Sequence, residues 1–189
     1  LCSPIARIQA ALANLEQRAD DSQNKYVTDL SEEVEHMSEL VDELLMFSKA
    51  GMKTAEVKLE PVRLDEVVQR VIDREGAAAT NLNVDIDDGM AATADSKLLS
   101  RALGNLVRNA IRYAGQAGPI ELKAEREEDL IKITIADQGP GLPSEILPHI
   151  FDPFSRPEEA RSRDTGGVGL GLSIVKSCVE ACGGTIICR

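Results

Sequence analysis

The sequence predicts an all-α helical hairpin over residues 1–51, expected to pair as a dimeric four-helix bundle, followed by an α+β two-layer sandwich over residues 52–189. Three observations predict it. Apolar residues recur at alternating spacings of three and four up to Gly51. Beyond Gly51, short alternating runs are interleaved with amphipathic helices. Glycine then gathers late in the chain, in QGPGLP and TGGVGLGL.

In the first helix Ile5, Ile8, Leu12 and Leu15 make one apolar stripe, and in the second Leu30, Val34, Met37, Val41 and Leu44 make an a/d seam. The polar stretch RADDSQNKY between them suits a turn. A lone hairpin leaves part of each seam exposed, so two hairpins are expected to associate, the alternative being a hairpin packed only on its own C-terminal domain. The second helix fades near Ala50-Gly51, and GMKTAEVK reads as a linker or hinge. Residues 55–61 alternate like a strand, and Leu64 to Ala79 reads as a helix with Asp65 in its first turn. NLNVDID and MAATAD read as short strands around an Asp88-Gly89 turn. Asp95 or Ser96 caps a long helix reaching Tyr113. PIELKAERE and DLIKITIAD are two strands joined near Glu128. A loop region from Gly139 to Gly169 holds a short helix at SEILPHIF, and a helix from Leu170 to Cys182 and a strand at TIICR follow.

Composition narrows the function. The net charge of −11 argues against a nonspecific nucleic-acid binder and against docking on anionic lipid. No apolar run reaches the ~20 residues that cross a bilayer. Aromatic residues are 3% and Trp is absent, so the core must be aliphatic. The four cysteines, Cys2, Cys178, Cys182 and Cys188, lack the paired spacings of a zinc site and read as small, buried or half-buried side chains in a reducing compartment.

The chemistry lies in four stretches. DTGGVGLGLSIVK places Gly166, Gly167, Gly169 and Gly171 ahead of a helix, where free N–H groups and the positive dipole end favour an anion such as phosphate. It is not a Walker A loop, because no Lys-Ser/Thr follows the last glycine, and it does not leave a strand directly as a Rossmann turn does. IADQGPGLP ends a strand at Asp137, followed by Gly139 and Gly141, and an ionised Asp there can accept a hydrogen bond from an exocyclic amine such as that of adenine. In RALGNLVRNAIRYA, Asn105 and Asn109 share a helix face, and amide oxygens suit Mg²⁺ that already carries phosphate. Arg112 follows within reach of phosphate, and Tyr113 can pack on a base. Phe151 and Phe154 complete the series.

In this set and order the chain resembles sensor histidine kinases of two-component signalling. NLVRNAIRY looks like their N box, ADQGPGLP their first Gly box, IFDPFSRP their F box and GGVGLGLSIV their second Gly box. The lid stretch EEARSRDTGG is most like that of the CpxA-type envelope sensors. The resemblance covers essentially the whole chain. It implies a dimerisation and histidine-phosphotransfer hairpin and a catalytic domain of the Bergerat type that binds Mg-ATP. By resemblance Asn109 holds Mg²⁺ with Asn105 nearby, Asp137 reads adenine, and Tyr113 lines the base pocket. Arg112 and Arg156 meet phosphates, and Gly139, Gly141, Gly167, Gly169, Leu170, Gly171 and Leu172 enclose the nucleotide.

LCSPI fits the tail of the family's phosphoacceptor motif, which puts the phosphoacceptor His two residues before Leu1, and the family usually adds another strand or two after GGTIICR, so the resemblance implies a chain cut at both ends. His36 and His149 carry no such motif. The implied partners are a second copy through the hairpin and the receiver Asp of a response regulator. The implied location is the cytoplasmic side of a bacterial inner-membrane protein, with no membrane contact by these residues. Ser3 stands where a Thr or Asn can orient water to dephosphorylate the regulator, and equally suits a helix N-cap before Pro4. Val168 departs from a common Thr or Ser, and Cys2 from Arg. Two rival readings remain. One is a related ATPase of the gyrase, MutL or Hsp90 type, but Asn105 occupies the place of its general-base Glu. The other is a degenerate, nucleotide-binding signalling scaffold.

Overall fold

The computed structural model describes residues 2–16, 57–114, 117–155 and 169–189, together with residues 23, 26–28, 30, 31, 34, 37 and 41. Helix α1 runs Cys2–Glu16. It therefore takes in Ser3, and the N-cap expected there is not found, because the helix has already begun at Cys2. Pro4 is tolerated because first-turn N–H groups have no intrahelical acceptor. Of the expected stripe, Leu12 is buried and Ile5 half-buried, while Ile8 and Leu15 are exposed. Leu30, Val34, Met37 and Val41 are helical, and Leu44, His36 and the linker around Gly51 lie outside the described residues.

The α+β part begins with strand β1 (Glu60–Arg63), which starts later than the 55–61 run predicts. Helix α2 (Leu64–Glu75) follows at once. It is shorter than the expected Leu64–Ala79 because Gly76, at φ 56°, leaves the helical region, and the chain tightens into a 3-10 segment over Gly76–Asn81. Strands β2 (Leu82–Ile86) and β3 (Ala91–Ala94) stand where the alternation placed them. They do not pair with each other across the Asp88-Gly89 turn: β3 pairs antiparallel with β1, and β2 pairs in parallel with β4.

Helix α3 (Ser96–Ala114) leads to β4 (Ile120–Glu127) and β5 (Leu130–Ala136), an antiparallel pair joined through Glu128 and Asp129. The main sheet thus has the order β2-β4-β5, with β4 at its centre. Ile120, Leu122 and Ala124 point inward from β4, and Glu121, Lys123 and Glu125 point out. The inward face packs on α2 and α3 through Val67, Val68, Val71, Leu103, Val107 and Leu122. This core joins elements on both sides of residue 94 into one unit.

The short helix expected at SEILPHIF is a single 3-10 turn, Leu147–His149. Helix α4 (Gly171–Ala181) packs along α3, burying Leu170, Ile174, Val175 and Cys178 against Ala102. The strand expected at TIICR is absent: residues 184–189 have no regular structure. Alternation alone does not supply a ladder, and Ile186 instead packs on the α3–α4 cluster. Cys178 is buried, Cys182 half-buried and Cys188 exposed, so the expectation of buried or half-buried cysteines fails at Cys188; all three are free thiols. No helix among the described residues is long and apolar enough to cross a membrane.

Candidate functional site

Helix α3 is the spine of the site, and Asp95 sets its start. Asp95 Oδ1 accepts the backbone N–H of Lys97 at 2.9 Å and of Leu98 at 3.2 Å. Its Oδ2 accepts the N–H of Lys58 at 3.2 Å, which ties the chain ahead of β1 to the N-terminus of α3. Burial opposes ionisation of Asp95, but the three N–H donors and the Lys97 charge outweigh it and hold the carboxyl below its ordinary value.

The buried stripe Ala102, Leu103, Val107, Ala110 and Ala114 fixes the rotation of α3. That rotation leaves Asn105 and Asn109 half-buried on one side, with Arg112 and Tyr113 exposed at the last turn. Arg108 lies on the same side, its guanidinium 3.2 Å from Glu75 Oε1 at the end of α2.

Strand β5 delivers Asp137 to this last turn. The Gly139 N–H donates to Asp137 Oδ1 at 2.9 Å and closes the turn. Gly139 is packed so closely that an added Cβ would lie 2.9 Å from Ala114 Cβ and 3.4 Å from the Tyr113 carbonyl oxygen. The first glycine-rich turn therefore sits directly on the end of α3. Among the described residues Asp137 Oδ2 has no hydrogen-bond partner, which leaves it available to an incoming amine.

The second glycine stretch meets the F-box stretch at its base, where the Phe154 N–H donates to the Gly169 carbonyl at 2.9 Å. Phe154, Gly141 and Gly169 all have φ between 64° and 78°. Leu170 is fully buried and α4 starts at Gly171, with the Ser173 hydroxyl donating back to the Leu170 carbonyl at 2.8 Å. Among the described residues no side-chain group caps the N-terminus of α4. Leu106, beside Asn105, packs on the same cluster as Leu170 and Ile174, so α4 and the amide side of α3 share one stretch of helix. Leu172 is half-buried in the first turn of α4.

Of the residues singled out from sequence, Gly139 meets Tyr113 and Ala114 and binds Asp137 through its N–H, and Leu170 packs against Ala102 of α3. Arg156, Gly166, Gly167, Val168 and the Ser3 side chain lie outside what the structure describes. His149 is exposed, with Nδ1 2.9 Å from Asp152 Oδ2. Sequence reasoning missed the Glu75–Arg108 pair and the Asp95–Lys58 tie. Arg108 was readable as part of the Asn105, Asn109 and Arg112 side of the helix, but a partner 33 positions away is a product of tertiary packing.

Among the described residues the donor set suits a magnesium nucleotide: two neutral amide groups, one guanidinium, a carboxylate oxygen without a hydrogen-bond partner, and a helix N-terminus without a side-chain cap.

Comparison with known proteins bears on this site. Residues 94–189 match the family described as histidine kinase-, DNA gyrase B-, and HSP90-like ATPase. Residues 2–52 match the His Kinase A (phospho-acceptor) domain. The sensor protein KdpD of Mycobacterium tuberculosis is 32% identical over 98% of this chain and 23% of its own length. The sensor histidine kinase CpxA of Escherichia coli is 33% identical over 95% of this chain and 39% of its own length. The chain thus spans well under half of either relative. The crystal structure of full-length ShkA in complex with AMPPNP superposes with a TM-score of 0.72 at 26% identity, covering 96% of this chain and 39% of that one. The chain belongs to the histidine kinase-, DNA gyrase B- and HSP90-like ATPases, and carries the His Kinase A domain beside it in the arrangement of sensor histidine kinases.

Proposed function

We propose that this chain is the kinase core of a sensor histidine kinase: it binds Mg-ATP, phosphorylates a histidine and passes the phosphoryl group to a response-regulator Asp. The observation that carries this reading is the Asp137–Gly139 turn packed on the last turn of α3, beside Tyr113 and in line with Asn109 and Asn105. Asp137 accepts the adenine amine, and Tyr113 packs on the base. Asn109, with Asn105 nearby, holds Mg²⁺, and Arg112 and Arg156 bind phosphate. Gly141, Gly167, Gly169, Leu170, Gly171 and Leu172 bring backbone close to the nucleotide, and the start of α4 faces its negative charge. Mg²⁺ bound with the nucleotide offsets phosphate charge during transfer. The chain's own contribution is to hold the γ-phosphoryl in line with the acceptor.

The acceptor is the histidine that the motif LCSPI places just ahead of Leu1. Residues 1–51 form the phosphotransfer hairpin and dimerise through the α1 side that exposes Ile8 and Leu15. Residues 52–189 form the catalytic domain, which swings about the linker near Gly51. Ser3 orients water when the regulator is dephosphorylated. The location is the cytoplasmic side of a membrane-anchored parent.

The test adds Mg-ATP to a longer chain that carries the histidine motif and assays acid-labile phosphate on the protein. Labelled protein with little free phosphate is expected. Free phosphate without label would favour an ATPase, and tight nucleotide binding with neither product a scaffold. Asn109→Ala is expected to abolish the Mg²⁺-dependent part of nucleotide affinity while leaving the fold intact by circular dichroism.

A further inference from the structure

Arg108 sits one residue before Asn109, three after Asn105 and four before Arg112. On a helix these positions are neighbours, so two guanidinium groups and two amides crowd one side of α3. Like charges four residues apart repel, and an unpaired cation there would also repel a divalent metal. The structure removes that conflict. Arg108 is drawn toward α2, where its guanidinium lies 3.2 Å from Glu75 Oε1. The Glu75 side chain is only 12% exposed and that of Arg108 34%, so neither charge is freely solvated. Glu75 is the last residue of α2, at the negative end of its dipole, where a carboxylate without a counter-ion is unfavourable. Each charge thus relieves the other. Just inside the pair, Val71, Leu103 and Val107 are buried in the α2–α3 core, which holds the two helices in one register.

We propose that Glu75 is a positioning residue for the nucleotide site: it neutralises Arg108 and holds it back, so that Asn105, Asn109 and Arg112 alone meet the metal and phosphates. This inference rests on the reading of Asn109 as the metal ligand. In its absence Arg108 turns toward the phosphates and displaces the divalent cation. Nucleotide binding is retained, but its gain from Mg²⁺ falls.

The experiment measures the affinity of the 189-residue chain for a fluorescent ATP analogue, with Mg²⁺ and with EDTA, and takes the ratio. Glu75→Gln is expected to shrink the ratio roughly fivefold, the size expected for one cation facing a divalent one across partly solvated space. Removing both charges, Glu75→Gln with Arg108→Met, should restore the ratio to within about twofold of the parent, which loss of packing would not do. Asn109→Ala is the control. If Asn109→Ala collapses the ratio and Glu75→Gln leaves it unchanged, the positioning role is wrong. A double variant that fails to recover would also overturn it, since the pair would then act only in packing. If Asn109→Ala leaves the ratio unchanged, the metal site itself is misassigned and this inference falls with it.

Discussion

Replacing Asp95 by Ala removes one acceptor from three backbone N–H groups at once. Loss of a helix N-cap costs about 1 kcal/mol. The Lys58 amide loses its partner as well, for roughly a further 1 kcal/mol. The total of about 2 kcal/mol corresponds to a fall in Tm of about 4–8 °C for a chain of this size. Thermal unfolding followed by far-UV circular dichroism measures it, and hydrogen exchange at the Lys58 amide reports the tie separately. Asp95→Ser keeps a capping oxygen but is too short to serve both ends, so it should recover about half of the loss while Lys58 still exchanges fast.

The pH dependence has a definite sign. The folded carboxyl titrates below its ordinary value of about 3.9, so its contribution is fully present above that value and is lost as pH falls through the folded value. The Tm gap between parent and Asp95→Ala should be constant from about pH 6 to 8 and shrink below about pH 4. A loss of less than about 1 °C, or a Lys58 amide equally protected in both proteins, would refute the reasoning.

Gly139→Ala forces a Cβ to within 2.9 Å of both Ala114 Cβ and Asp137 Oδ1. It should cost about 1–3 kcal/mol by thermal melting and weaken adenine-nucleotide binding more than it weakens binding of inorganic triphosphate. Glu128 holds φ 54° at the first position of the β4–β5 turn, so Glu128→Gly should stabilise the protein by about 1 kcal/mol, seen as a rise in denaturation midpoint. Burial pushes the Cys178 thiol up, with Arg101 opposing, so brief alkylation at pH 7.5 followed by peptide mapping should label Cys188 and spare Cys178.

Local chemistry made much of this molecule legible in advance. The alternation in β4 and β5 and the cap at Asp95 were readable because each depends on neighbours a few residues away. Where the reading failed, a long-range or conformational choice had intervened. The end of α2 was set by the backbone of Gly76 rather than by the apolar period that continues beyond it. The partners of β2 and β3 were set by the core, not by the turn between them. Ile186 packs on α3 and α4 without entering a sheet. At the site, the residue types of Asn105, Asn109 and Asp137 pointed to their chemistry, and the packing of Gly139 on Ala114 was beyond reach because it joins segments far apart in sequence. Glu75 carried no signal at all before its contact with Arg108 was seen.

The parallel pairing of β2 with β4 also has a temporal consequence. β4 is the middle strand of the main sheet, yet β3 and the whole of α3 are synthesised between it and β2. On the ribosome, β2 lacks its partner strand until residues 120–124 have cleared the exit tunnel. Closing that loop is a non-local event of the kind that slows folding. The helix bearing Asn105 and Asn109 is part of that crossover, so the packing that closes the sheet also seats the asparagine side of the site. Mutations in the buried stripe of that helix should therefore lower the yield of folded protein as well as nucleotide affinity.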